Sequence, residues 1–202
     1  MRRILDSIPL LYVALLWPGR FAIWGLFDDN WYYAQMMHET GVWSVRILVL
    51  SLSVTPILMI LGRLNFGRSF GRWLLQRRKH FGRICFIYAA LHLAHYVLET
   101  QSLTIILLES VDLEFATGWL GFGILLAMAI TSNKYSTRKL GRRWKTLHRW
   151  IYAGSVLIFL HWLLFDDSTH LVIYWAGILV VAKGAHAALT KMPRTWARSR
   201  TA

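Results

Sequence analysis

An all-α fold, six apolar helices bundled in a membrane, is what this sequence predicts, and three observations carry the prediction. Of the 202 residues, 56% are hydrophobic. They fall into six runs, each close to the roughly 20 apolar residues that a membrane-crossing helix needs. The formal net charge is nevertheless +13, and most Lys and Arg residues gather between the runs. Extensive apolarity with basic connections is the composition of an integral, multi-span membrane protein. A nucleic-acid binder would present its cations on one soluble surface, and here long apolar stretches separate them.

The runs cover about residues 8–27, 42–61, 81–98, 115–131, 147–165 and 171–189, which reads as a single transmembrane domain over 1–202. The first is the most interrupted. Pro9, Pro18 and Arg20 lie within it, so a kink is expected, with Arg20 reaching toward an interface. A basic start without a small-residue cleavage site makes it a retained span. Residues 100–114 contain LTIILLESV, a short amphipathic segment suited to lying on the surface rather than crossing. The glycines of GWLGFG, from Gly118 to Gly123, are placed for close helix packing rather than for a nucleotide loop. Cys85 is the single cysteine, which excludes an intrachain disulfide and a cysteine metal cage.

Charge sets the orientation. Basic residues crowd the N-terminus (Arg2, Arg3), the second connection (Arg63 to Lys79), the fourth (Lys134 to Lys145) and the tail (Lys191 to Arg200). The first, third and fifth connections carry Asp28, Asp29, Glu39, Glu99, Glu109, Asp112, Glu114, Asp166 and Asp167, with no Lys or Arg. The positive-inside rule then puts both termini and the even connections in the cytoplasm.

Orientation converts position into depth, and depth singles out histidines. The third run rises outward from Lys79, so His92 lies roughly 18 Å above His80. The fifth rises outward from Leu147, which places His148 at its cytoplasmic end and His161 in the outer half, roughly 20 Å away. His92 and His161 therefore share a depth on two helices running the same way. Ionisable groups inside a membrane usually mark a site. Two neutral imidazoles on facing helices are a standard way for a bundle to hold a haem iron, and a bis-histidine haem suits electron transfer. The competing reading is that each histidine only hydrogen-bonds across helices.

Other histidines are placed less favourably. His95 lies one turn past His92 but about 60° round the helix, which suits an interhelix hydrogen bond or a contact to a cofactor's propionate. His38 and His170 belong to the outer interface, and His186 reaches the level of His148. The thirteen steps from His148 to His161 leave their side chains about 140° apart on an ideal helix. Two cofactors beside one face of this helix would therefore require an irregularity, for which Gly154 is one place.

The third run, RRKHFGRICFIYAALHLAHYVLE, and the fifth, RKLGRRWKTLHRWIYAGSVLIFLHWLL, resemble the ferric-reductase-like transmembrane superfamily. Within it they are most similar to the haem-binding membrane subunits of bacterial periplasmic methionine-sulfoxide reductase systems. The resemblance extends from about Thr40, at TGVWSVRILVLSLSVTP, to about Leu189. It implies a six-helix bundle around b-type haem, with His92, His148 and His161 as haem-linked, iron-binding residues. Two-haem relatives carry a further histidine fourteen residues before the one matching His92; here that position is Arg78. His80 is near it but turned roughly 200° away on a helix. Arg78 then faces either an anionic group, such as a propionate or a flavin phosphate, or serves as an inside-positive anchor.

The function the resemblance implies is electron relay across the bacterial inner membrane. Electrons would pass from a cytoplasmic flavin reductase or the quinone pool to a periplasmic molybdopterin methionine-sulfoxide reductase, with FMN as a further possible cofactor. Trp119, Trp144, Trp150 and Trp162 would serve as interface anchors and pocket walls, and the outer acidic loops would meet the soluble partner. Two other readings stay open: a stand-alone ferric- or quinone-linked cytochrome b, and a non-redox transporter or assembly protein. The scarcity of acidic groups inside the runs counts against proton-coupled transport.

Overall fold

The computed structural model describes residues 7–24, 33–64, 67–165 and 169–191. Arg2, Arg3, Asp28, Asp29, Asp166, Asp167, Arg194, Arg198, Arg200 and the end of the first apolar run lie outside the described residues.

Among the described residues every regular element is helical. Helix α1 (Ile8–Leu16) passes through a 3-10 turn (Trp17–Gly19) into α2 (Arg20–Trp24). Then come α3 (Tyr33–Arg63), α4 (Arg68–Thr100), α5 (Leu103–Glu109), α6 (Leu113–Thr131), α7 (Lys134–Leu140), α8 (Arg142–Arg149), α9 (Ile151–Phe165) and α10 (Thr169–Lys191). Five stretches are long and apolar enough to cross a membrane: Tyr33–Arg63, Ser69–Thr100, Leu113–Thr131, Arg142–Phe165 and Thr169–Lys191. Ile8–Trp24 is apolar but shorter.

Local chemistry explains these elements. Pro9 stands in the first turn of α1, where its missing N–H costs nothing. Pro18 falls in the 3-10 turn, and Arg20 folds back there, donating to the Trp17 carbonyl at 3.0 Å with its guanidinium 3.9 Å from the Phe21 ring centre. Helices α3 and α4, 31 and 33 residues long, outrun their apolar runs. Arg72, Arg77, Arg78 and Lys79 therefore lie on the early turns of α4 rather than in a loop. Arg, Lys, Gln and Leu are good helix formers, so the helix reaches back to Gly67, whose φ of 59° few other residues would adopt. Ser102 caps α5, on which only Ile106 is buried while Leu103, Ile105, Leu107 and Leu108 are exposed. That matches a surface-lying segment.

Packing follows two helix pairs. Ile47, Leu48, Leu52 and Val54 of α3 form the main core with Phe81, Ile84, Cys85 and Tyr88 of α4. Helices α6 and α9 approach through reciprocal glycines: a Cβ on Gly121 would stand 2.9 Å from Ile158, and one on Gly154 would stand 3.0 Å from Ile124. Gly123, by contrast, faces open space. Helix α10 lies along α3, and Val42, Val45, Val49, Trp162 and Val172 form a second core that joins α3, α9 and α10. The outer faces carry Val156, Ile173, Val180 and Val181, fully suited to lipid.

Tyr88 docks the first helix. It is completely buried, donates to the Leu15 carbonyl at 2.8 Å, and leaves no room for a side chain at Gly19, where a Cβ would stand 2.6 Å from the ring. Tyr88→Phe is expected to cost about 1 kcal/mol, because it strips one donor from a sheltered carbonyl. Thermal unfolding in detergent checks this, and Gly19→Val should destabilise far more.

Candidate functional site

The chemistry-bearing groups gather where α4 and α9 face each other. His92 projects from α4 toward α3 and donates from Nδ1 to the Met37 carbonyl at 2.8 Å. Its ring lies on Gly41, where an added Cβ would stand 2.9 Å from Nδ1. His161 repeats this on α9: Nδ1 donates to the Glu114 carbonyl of α6 at 2.7 Å, and the ring lies on Gly118, where a Cβ would stand 2.8 Å away. The two ring centres are 6.0 Å apart with planes at 89°.

A carbonyl oxygen can only accept, so both rings carry their proton on Nδ1 and the lone pair on Nε2. That is the form in which an imidazole binds a metal through Nε2 while a partner behind it fixes the ring. Two imidazoles on opposite sides of one metal, each with a bond of about 2 Å, place their ring centres roughly 6 Å apart. The observed separation of 6.0 Å matches that spacing. Among the described residues no cluster of three or more His, Cys, Asp or Glu side chains could hold a bare metal ion. The pair therefore suits a metal whose remaining ligands come with a cofactor.

Aromatic rings close the same end. Phe165 lies 5.0 Å from His161, Phe115 lies 4.9 Å from Phe165, and Tyr96 lies 5.6 Å from Phe115. Tyr96 also donates to Glu109 at 2.8 Å, which ties α5 over the site.

His148 is not brought to this pair. On α8 it stacks on Trp144 at 3.9 Å, and its Nε2, not Nδ1, meets the Thr131 hydroxyl at 3.3 Å. Trp144 in turn donates from Nε1 to the Thr131 carbonyl at 3.0 Å, so the basic collar folds back onto α6. Arg78 lies within electrostatic reach of His148 and donates weakly to Thr55 at 3.4 Å. The helical path from His148 to His161 is interrupted once. Trp150 separates α8 from α9 and bonds the Leu147 carbonyl at 3.0 Å, three residues back. A tight turn advances about 20° more per residue than an α-helix, which reduces the ideal offset between the two histidines. The irregularity thus falls at Trp150, four residues before Gly154.

The remaining histidines have separate surroundings. His95 is fully buried and bonds its own helix at the Leu91 carbonyl, 2.7 Å, beside Tyr33; its Nε2 has no hydrogen-bond partner among the described residues. Its Nδ1 thus bonds within its own helix rather than across helices. His80 is buried against Tyr12 of α1, with 3.2 Å between Nδ1 and the hydroxyl. His38 and His170 are exposed, and His186 is half-buried on α10. Gly41 and Gly118 were not legible as site residues from helix periodicity, although each follows a threonine in the same Thr-Gly pair.

The family model of the ferric reductase like transmembrane component matches residues 40–159, more than half of the chain. This span includes Gly41, His92, Gly118 and His148 and stops two residues before His161. The protein-methionine-sulfoxide reductase heme-binding subunit MsrQ of Brucella anthropi is 34% identical over 168 residues, covering 81% of this chain and 70% of the relative. The subunits of the same name from Brucella ovis and Brucella canis are 38% identical over 129 residues, covering 61% of this chain and 54% of each relative. The chain thus spans about half the length of those two. Five helices of membrane-crossing length agree with these likenesses. The chain is a multi-pass membrane protein that belongs to the ferric reductase like transmembrane component family, among the relatives of MsrQ.

Proposed function

We propose that this protein is a haem-containing electron-transfer subunit of a methionine-sulfoxide reductase system. The supporting observation is the His92–His161 pair, with Nδ1 of each ring committed to a carbonyl and ring centres 6.0 Å apart. The subunit sits in the bacterial inner membrane with both termini in the cytoplasm, as the charge pattern supports. Electrons arrive from a cytoplasmic flavin reductase or the quinone pool and leave for a periplasmic molybdopterin methionine-sulfoxide reductase.

His92 and His161 would hold a haem b, which would supply a one-electron iron couple, so that no substrate pocket is needed. The protein's own residues do the rest. The Met37 and Glu114 carbonyls hold a proton on each Nδ1 and raise the basicity of each Nε2. Phe115, Phe165 and Tyr96 line that end of the bundle with aromatic surface. At the basic end, His148 and Arg78 border a second cofactor position, where Arg78 offers positive charge to a propionate or to the phosphate of an FMN. Outward-facing Asp112 is exposed, while Glu109 already accepts from Tyr96, so Asp112 is the freer contact for the soluble reductase.

A reduced-minus-oxidised spectrum of freshly purified protein tests the reading. Bands of b-type haem are expected, and reoxidation on adding the periplasmic reductase with a methionine sulfoxide. A protein purified without any haem signal sinks the proposal. The same spectra on His148→Ala address the second position: a fall in haem content or a shifted midpoint potential is expected. Full content at an unchanged potential would assign His148 to bracing α6.

A further inference from the structure

We infer that Thr40–Gly41 and Thr117–Gly118 form one positioning device used twice, a clamp that sets the protonation form and ring angle of His92 and His161. The inference rests on the reading of that pair as haem ligands.

The two copies match atom for atom. Thr40 is 1% exposed and its hydroxyl donates to the Met36 and Met37 carbonyls at 2.7 and 3.0 Å. Thr117 is 3% exposed and donates to the Leu113 and Glu114 carbonyls, both at 2.9 Å. In each copy the second carbonyl, Met37 or Glu114, is the one that receives the imidazole Nδ1–H. In each copy the glycine after the threonine is the surface on which that imidazole lies. Met37, Thr40 and Gly41 therefore correspond to Glu114, Thr117 and Gly118, at the same spacing on two different helices.

Each part has a physical role. A carbonyl inside a helix is already occupied by the N–H four residues on. A hydroxyl bonding back to the preceding turn loosens that ladder and tips carbonyls outward, toward a donor on a neighbouring helix. The glycine removes the side chain that would otherwise fill the space where the ring must lie. Any Cβ there would stand under 3.0 Å from the imidazole, against the ring itself rather than a flexible tip. Sharing the carbonyl with the threonine hydroxyl also limits how strongly it draws on the Nδ1 proton, and so how basic Nε2 becomes. Thr131 bonds back to Ala127 and Met128 in the same manner, yet no glycine follows it, and His148 meets its hydroxyl rather than a carbonyl. The complete device occurs only at the facing pair among these three histidines.

The test compares purified, haem-loaded full-length protein carrying Gly41→Ala, Gly118→Ala, Thr40→Val, Thr117→Val, Thr40→Ser and Thr117→Ser. Haem content, midpoint potential and the electron paramagnetic resonance of the oxidised form are read, with helical content as a control for folding. Gly123→Ala, at open space on α6, is the neutral comparison. The two glycine variants are expected to lower haem affinity about 10- to 100-fold, the usual range when a partner behind a ligand is disturbed. The valine variants should keep the haem but lower the potential, because each carbonyl then belongs more fully to the imidazole; the serine variants should restore it. An unchanged or raised potential in both valine variants, with wild-type haem content in both alanine variants, overturns the clamp while leaving the haem reading intact. Wild-type protein that binds no haem overturns the reading itself and the clamp with it.

Discussion

On the proposed reading, in which His92 and His161 would hold a haem between α4 and α9, alanine at either position is expected to abolish its binding. Each ring is the sole imidazole its helix offers to the facing one at that depth: His95, the next on α4, bonds its own helix and packs against Tyr33. A single remaining ligand cannot hold the low-spin state that two imidazoles impose. The loss should therefore exceed the roughly 10- to 100-fold that follows when only a partner behind a ligand is disturbed. Haem per chain and the oxidised spectrum, measured beside His95→Ala, give the answer. Low-spin haem at full content in His92→Ala would move the site elsewhere; retention in His95→Ala alone is the expected pattern.

The second large effect concerns the frame rather than the ligands. Gly121→Leu should force α6 away from α9, since even a Cβ at that position would stand 2.9 Å from Ile158. Overpacking a close helix contact costs about 1–3 kcal/mol, and more when a whole branched side chain must be accommodated. For a chain of this length, about 3 kcal/mol corresponds to a fall in Tm of roughly 6–12 °C. Because Gly118 lies one turn away on the same helix, separation also draws the Glu114 carbonyl from His161. Stability and haem content should fall together. Ile158→Ala in the Gly121→Leu background removes the obstructing side chain and should recover part of both. No recovery would mean that the glycine matters for another reason.

Several features could be read without a structure because they depend on composition along the chain. Apolar runs near 20 residues, punctuated by basic connections, lead to membrane helices, and the rise per residue, combined with the orientation read from charge, leads to one depth for His92 and His161. The change to a 3-10 turn at Pro18, the surface position of α5 and the close packing at Gly118 and Gly121 follow from proline, amphipathicity and residue size. The extent of α4 was less legible, because charged residues that favour helix look like loop to a hydropathy reading.

What the sequence determined by itself is the class of protein and the height of its two facing imidazoles, since both depend on local composition and a constant helical rise. Which nitrogen of each ring is free, and which surface the ring lies on, was decided by tertiary structure. A helix does not know which of its carbonyls will meet a neighbour's side chain. Thr40–Gly41 and Thr117–Gly118 become meaningful only once α3 packs on α4 and α6 on α9. The same holds for His148. Its thirteen-residue spacing from His161 put the two side chains about 140° apart on an ideal helix. Its actual surroundings, the stack on Trp144, the break at Trp150 and above all the Thr131 hydroxyl supplied by α6, required the folded chain.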